Sequence, residues 1–173
     1  MKNRFLHRCV AVAILLTSAA PPVLAQSTGS SKLDELLAAA HFYVVSYTVW
    51  PKNNEIRVCL SGKSRLQGLL TSVFSSRSSS QRRYLPVVLS AMSKPETECD
   101  AVILSNDSEE NDQLINRLSA YPILTLSSEV DVTPQGGMVY LPQGKPPRIL
   151  LERVKKSGLK VESSLLEISD IAK

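Results

Sequence analysis

The stretch 31–62 carries the clearest hydrophobic pattern of the chain, an amphipathic helix followed by a short buried strand. Ser31, with Asp34 three residues later, is typical of a helix N-terminus, because both side chains can bond otherwise unpaired N–H groups. Pro51 disfavours helical geometry in the residue before it, so the helix should end by about Val49. The apolar positions at helical spacing are Leu33, Leu36, Leu37, Ala40, Tyr43, Val44 and Tyr47.

The rest of the chain alternates between short apolar runs and stretches with apolar residues at helical spacing. Predicted strands cover 56–60, 84–89, 101–104, 123–126, 138–141 and 149–151, and predicted helices begin near 66, 108, 154 and 164. Pro86 assigns the second strand to a sheet edge or a bulge, and Ser164 with Glu167 forms a capping box for a last helix through Ile171. Because strand–helix alternation requires crossovers, we predict an α/β fold: a single three-layer domain with a largely parallel central sheet flanked by helices.

Residues 1–25 have the three parts of a secretory signal peptide. A basic start with Lys2, Arg4 and Arg8 precedes the apolar run 9–17, and a small-x-small cleavage site ends at Ala25. A retained membrane anchor is the alternative, but the apolar run is short for a bilayer span. We therefore expect a cleaved signal peptide and a mature periplasmic α/β domain over 26–173, without a membrane span.

The basic character of the chain belongs mostly to that signal peptide. Loss of Lys2, Arg4 and Arg8 lowers the basic count from 20 to 17, while the acidic count stays at 16. A mature chain so close to neutrality lacks the charge of a nucleic-acid-binding protein, so no nucleic-acid partner is expected.

Two cysteines remain after removal of Cys9 with the signal peptide. Cys59 and Cys99 each lie at the edge of a predicted strand, and neighbouring parallel strands can bring two Cα atoms within disulfide range. An even pair in an exported protein favours a disulfide. Two buried free thiols are the alternative.

Catalytic and metal-binding patterns are weak in this sequence. His41 is the one histidine of the mature chain, so a histidine-based metal cluster is excluded and no cofactor is expected. We expect His41 at the surface or at the edge of the first helix. A Ser-His-Asp hydrolase would need His41 as its base, and no G-x-S-x-G elbow accompanies it.

Two charged segments also have ordinary structural explanations. The run 61–64, Ser-Gly-Lys-Ser, is similar to the end of a phosphate loop but lacks its glycine spacing, which favours a strand-to-helix turn. Arg77, Arg82 and Arg83 lie in a serine-rich stretch that is either a solvated loop or a contact for an acidic partner.

Several segments together resemble one protein family. Their order, spacing and cysteine pair are those of the YfiR-like family of periplasmic proteins, and the resemblance covers nearly all of the mature chain. The matching segments are Trp50–Pro51 after the first helix, Ile56–Gly62, Cys99–Ser105, Pro122–Ser127, Gly136–Val139 and Ser157–Leu166.

The resemblance implies a small α/β protein, usually dimeric and without enzymatic activity. The name-giving member represses a membrane-bound diguanylate cyclase by binding its periplasmic sensor domain, and Cys59 with Cys99 matches the family's framework disulfide. A second cysteine pair that some members have is absent here, which argues against redox control through that pair. The family's usual phenylalanine and asparagine in a late strand are also missing, since that strand reads Arg148–Leu151.

We therefore hypothesise a regulator that docks on the periplasmic domain of a transmembrane signalling protein, most simply a diguanylate cyclase, and that forms a homodimer. A small-molecule or redox sensor working with a sensor kinase or an outer-membrane receptor is the alternative, and an exported hydrolase is a third possibility. Trp50 either packs at a core edge or lines an interface. The predicted partner-binding residues are Trp50 and Pro51 at the first corner and Leu165, Leu166 and Ile168 in the last helix.

Overall fold

The computed structural model describes residues 31–51, 54–105 and 108–172, so the predicted signal peptide lies outside the described residues. Helix α1 spans Lys32–Ser46. The Ser31 hydroxyl accepts a hydrogen bond from the Asp34 backbone N–H at 3.2 Å, which confirms the predicted cap. The helix stops before Val49 because the chain turns at Tyr47 and enters a short strand.

The remaining elements follow in chain order. The strands are β1 (Thr48–Val49), β2 (Glu55–Leu60), β3 (Arg83–Val88), β4 (Ala101–Ile103), β5 (Leu124–Ser127), β6 (Val139–Tyr140), β7 (Arg148–Leu150), β8 (Lys160–Val161) and β9 (Asp170–Ala172). The helices are α2 (Gln67–Ser76), α3 (Pro95–Glu98), α4 (Ser108–Leu118), α5 (Leu151–Lys156) and α6 (Ser163–Glu167).

The central sheet has seven strands in the order β3-β2-β4-β5-β6-β7-β9. Its pairings are parallel except for β6 with β7, which run antiparallel across the Pro/Gly-rich loop between them. β1 and β8 form a separate antiparallel pair, with Thr48 opposite Val161. The predicted α/β fold with a largely parallel sheet is therefore confirmed.

Helices cover both faces of the sheet, which gives the predicted three layers. In β4, Ala101 and Ile103 belong to the main core with α1 and α2, whereas Val102 belongs to a second core with α4. The strand is buried on both sides, which explains why its sequence is apolar without alternation.

Strand β3 forms one edge of the sheet, as Pro86 predicts. The Ser78 hydroxyl accepts a hydrogen bond from the Tyr84 N–H at 2.9 Å and lies 3.3 Å from the Tyr84 carbonyl oxygen, to which it can donate. Pro86 has no N–H to offer. This edge is therefore poorly suited to pairing with a further strand.

The prediction of a last helix through Ile171 is wrong. Helix α6 ends at Glu167, and the chain continues as β9, in which Ile171 pairs with Ile149 at the other edge of the sheet. The capping box is also wrong, since Ser164 lies inside α6 and the N-cap residue, Glu162, makes no side-chain cap bond. Pairing with β7 outweighs the local helical pattern here.

Candidate functional site

The Trp50 side chain packs in the core beneath the C-terminal end of α1. Its side chain is 4% exposed and belongs to the main core. The indole N–H donates to the Val45 carbonyl oxygen at 3.0 Å, which satisfies one of the carbonyl groups that a helix end leaves unpaired. Burial therefore removes Trp50 from the predicted binding surface, while Pro51 remains exposed.

The predicted binding residues near α6 also divide between core and surface. Leu165 is only 2% exposed and belongs to the main core, and Leu166 is half-buried against it. Ile168 is 64% exposed and lies just before the edge strand β9, where Ile171 is also exposed. Of the three, only Ile168 therefore has a largely exposed side chain.

His41 is buried, so its predicted surface position is wrong. Its Nδ1 donates to the Leu37 carbonyl oxygen at 2.8 Å, and its Nε2 has no hydrogen-bond partner among the described residues. Burial lowers the pKa of the imidazole from 6.5 to about 4, although the bond to Leu37 acts in the opposite direction. The ring is therefore neutral at neutral pH, and none of the described serine hydroxyls is hydrogen-bonded to it.

Helix α1 has two apolar faces, and the sequence prediction assigned residues of both faces to a single stripe. The face toward the sheet comprises Leu37, Ala38, His41, Val44 and Val45. A second set, Leu36, Tyr43 and Tyr47, is exposed by 60%, 49% and 36%. Spacings of seven and eleven residues place these three side chains along one line of the helix surface.

This exposed line, which we call the α1 stripe (Leu36, Tyr43 and Tyr47), continues onto neighbouring groups. The rings of Tyr43 and Tyr47 lie 6.4 Å apart, and exposed Val49 follows in β1. Contiguous exposed apolar groups of this kind mark interaction surfaces in soluble proteins. Sequence reasoning did not separate this exposed α1 stripe from the buried face, although the surplus of apolar residues in 32–46 signals it.

A family model for YfiR/HmsC-like proteins matches residues 34–170. The chain belongs to the YfiR/HmsC-like family. Proteins of this family are periplasmic regulators of the cyclic-di-GMP system. A comparison with curated proteins gives no match. The match begins inside α1 and ends in β9, so the α1 stripe, Pro51 and Ile168 all belong to the YfiR/HmsC-like domain.

The disulfide that this family leads one to expect is present. Cys59 in β2 and Cys99 before β4 are joined, with their Cα atoms 5.8 Å apart. Both side chains are buried in the second core, beneath α4. The alternative of two free thiols is therefore wrong, and the bond ties β2 to the residues that lead into the neighbouring strand β4.

The turn after β2 has no phosphate-binding character in this YfiR/HmsC-like domain. Gly62 has a φ of +61°, and the Ser64 hydroxyl donates to Glu129 Oε1 at 2.9 Å. The run 61–64 lies between β2 and α2 and is the predicted strand-to-helix turn. The Glu129 carboxylate beside Ser64 disfavours an anion at this turn. A cleft of about 330 Å³ opens nearby between the ends of β2 and β3 and α4, and its walls mix polar and apolar groups.

Metal and membrane sites are not found in the part of the chain that the structure describes. No group of three or more His, Cys, Asp or Glu side chains there could hold a metal ion. Within the same residues, no helix has both the length and the apolar character required to cross a membrane.

Proposed function

We propose that this protein is a non-enzymatic periplasmic regulator that binds and represses the periplasmic sensor domain of a membrane-bound diguanylate cyclase. Membership of the YfiR/HmsC-like family over residues 34–170 is the observation that carries this proposal. The exposed apolar groups at α1 and at Ile168 support it, because a docking protein needs such groups at the centre of an interface.

Repression requires that binding distinguishes two states of the partner. A regulator with equal affinity for the active and inactive cyclase would leave their ratio unchanged. The protein therefore binds the inactive sensor domain more tightly, and each tenfold preference corresponds to about 1.4 kcal/mol.

The location of the protein is part of the proposal. The mature chain begins at Gln26 after cleavage at Ala25, acts in the periplasm and forms a homodimer. Its disulfide is consistent with an oxidising compartment.

Cellular cyclic-di-GMP levels test this function directly. Deletion of the gene should raise cyclic-di-GMP, and the full chain should restore the lower level. A chain lacking residues 2–25 serves as the matched control, because it keeps the folded domain but not the export signal. Restoration by that control, or an unchanged level after deletion, would contradict the proposal.

Capture on the purified, oxidised mature protein identifies the partner. Detergent-solubilised membranes should yield a transmembrane cyclase with a periplasmic domain, and chemical cross-links should map to that domain. Capture of a sensor kinase or an outer-membrane receptor, together with unchanged cyclic-di-GMP, would favour the alternative of a periplasmic sensor in a different pathway.

A further inference from the structure

Two arginines flank an aromatic cleft beside the α1 stripe. The cleft has a volume of about 480 Å³ and lies between α1, the end of α2 and the start of β3. Phe42 and Tyr84 provide its aromatic wall, with ring centroids 5.1 Å apart. We call it the cationic cleft; its lining residues are Phe42, Ser46, Asn54, Arg77, Ser79, Gln81, Arg82 and Tyr84.

Both guanidinium groups are held in place by neutral neighbours. Arg77 lies over the rings of Phe42 and Tyr43, at 5.0 and 5.5 Å from their centroids. Arg82 donates through Nη1 to the Ser46 carbonyl oxygen at 3.2 Å. Stacking and a single hydrogen bond leave most of the N–H donors of each group available.

Neither arginine forms an ion pair with a carboxylate among the described residues, and the lining of the cationic cleft contains no acidic side chain. Arg65, which lies before α2, differs because it pairs with Asp34 at 3.3 Å. A pair of preorganised guanidinium groups without a counter-charge is suited to bind a carboxylate from outside.

The cationic cleft and the α1 stripe form one continuous face. Arg77 contacts Tyr43, which belongs to the stripe, and the Tyr43 ring lies 6.1 Å from the Phe42 ring in the cleft. A ligand seated on this face would therefore meet apolar and aromatic groups along α1 and positive charge at one side.

We propose that this face binds a segment of a partner protein in which apolar side chains lie next to an aspartate or glutamate. The apolar side chains cover the α1 stripe, and the carboxylate enters the cationic cleft between Arg77 and Arg82. This inference rests on the proposed function, since the segment would belong to the sensor domain that the protein represses.

The chemistry of the face favours a protein over other occupants. Anionic membranes are recognised by clusters of about four to eight basic residues, and nucleic acids by extended basic surfaces, whereas this cleft has two arginines. A second copy bound symmetrically through this face would bring arginine-lined clefts together without supplying a carboxylate from their linings.

Photo-crosslinking in cells tests the inference. A photoreactive phenylalanine analogue replaces Tyr43 in the full-length exported chain, and the cross-linked peptide is sequenced after irradiation. The expected product joins position 43 to a segment of a membrane signalling protein that contains apolar residues and an Asp or Glu. Charge reversal with Arg77→Glu and Arg82→Glu should reduce the yield about tenfold, because a charge-assisted contact is lost.

The matched control reverses two exposed lysines at the end of α5, Lys155→Glu and Lys156→Glu, which changes the net charge equally. This control should leave the yield unchanged. Thermal melts establish that both double variants fold. If the arginine variant does not fold, replacement of the cross-linked acidic residue of the partner by its amide should give the same loss, and a normal yield would overturn the inference.

Other products at position 43 would also overturn it: a peptide from a second copy of this chain, a lipid, a partner segment without a carboxylate, or no product. The same photoreactive group at Ile168 separates this inference from the proposed function. Cross-linking of a cyclase from Ile168 alone would reject the α1 face while the repressor proposal stands. Unchanged cyclic-di-GMP after gene deletion would reject the repressor proposal instead.

Discussion

His41 makes the stability of this protein depend on pH. The folded protein holds the imidazole neutral, with a pKa of about 4, while the unfolded chain binds a proton near pH 6.5. Between these values the unfolded state carries more protons, so the free energy of unfolding rises with pH. The contribution of His41 is therefore complete above about pH 6.5 and is lost progressively as the pH falls toward 4.

We expect His41 to account for a loss of about 2 kcal/mol in the free energy of unfolding between pH 7 and pH 4.5. Urea titrations of the mature protein at both pH values measure this loss. The control is His41→Asn, in which the amide can replace the Nδ1 donor to Leu37 but does not titrate. Identical pH dependence of the two proteins would show that the imidazole is not held neutral.

Gly62 combines a left-handed backbone with a close neighbour. A Cβ atom at this position would collide with the Ser105 hydroxyl oxygen, and the φ of +61° disfavours other residues. We expect Gly62→Ala to lower the free energy of unfolding by about 2 kcal/mol, measured by urea titration.

Gly158 supplies the comparison, because its φ is +82° and no atom beyond its adjacent residues lies within 4 Å of the added Cβ. Because only backbone strain is added, Gly158→Ala should lower the free energy of unfolding by only about 1 kcal/mol. Adding Ser105→Ala to Gly62→Ala should restore part of the difference. Equal losses at the two glycines would mean that the contact with Ser105 contributes nothing.

At the scale of elements, α1 has one buried and one exposed apolar face, so substitutions on the two faces should affect stability and the proposed binding separately. Leu37 points into the main core and adjacent Leu36 points outward. Leu37→Ala should lower the free energy of unfolding by about 2–5 kcal/mol, because it leaves a cavity. Leu36→Ala should change it by less than about 0.5 kcal/mol.

Calorimetry or urea titration of the two variants tests this orientation of the helix. The same pair gives a binding readout, since only Leu36→Ala should weaken partner cross-linking while the protein keeps its stability. Comparable destabilisation by both substitutions would mean that the outer face of α1 is also packed.

At the scale of the whole molecule, the Cys59–Cys99 bond limits the freedom of the unfolded chain. The two cysteines are 40 residues apart, and closing such a loop stabilises by about 4 kcal/mol in the chain-entropy model. We expect the paired substitution Cys59→Ala and Cys99→Ala to lower stability by about that amount, measured by urea titration under oxidising conditions.

Reduction of the wild-type protein should produce a similar loss, and added reductant should leave the double variant unaffected. A variant as stable as the oxidised protein would show that the packing of β2 against β4 is sufficient without the bond.

Local signals in the sequence were sufficient for several elements. The Ser31 cap depends on an atom three residues away. The short apolar runs of β4 and β5 are visible in the residues themselves and predict strands that are buried, as observed. Pro86 similarly identifies an edge strand, because it lacks the N–H that an interior strand requires.

Strands β1, β8 and β9 could not be found in this way. β1 exists because Thr48 lies opposite Val161, and β9 because Ile171 lies opposite Ile149. The burial of Trp50 likewise depends on its packing into the main core, which residues distant in sequence complete. These outcomes depend on distant partners, which local patterns do not contain.

The sequence by itself determined the α/β layering, the parallel crossovers, the edge position of β3 and the cysteine pair, because each depends on periodicity, on a backbone donor or on composition. Only the tertiary structure decided which face of α1 is buried, since that helix is apolar on two sides and the sheet covers just one. The same packing placed His41 in the core and brought Arg77, from the end of another helix, over the exposed ring of Tyr43.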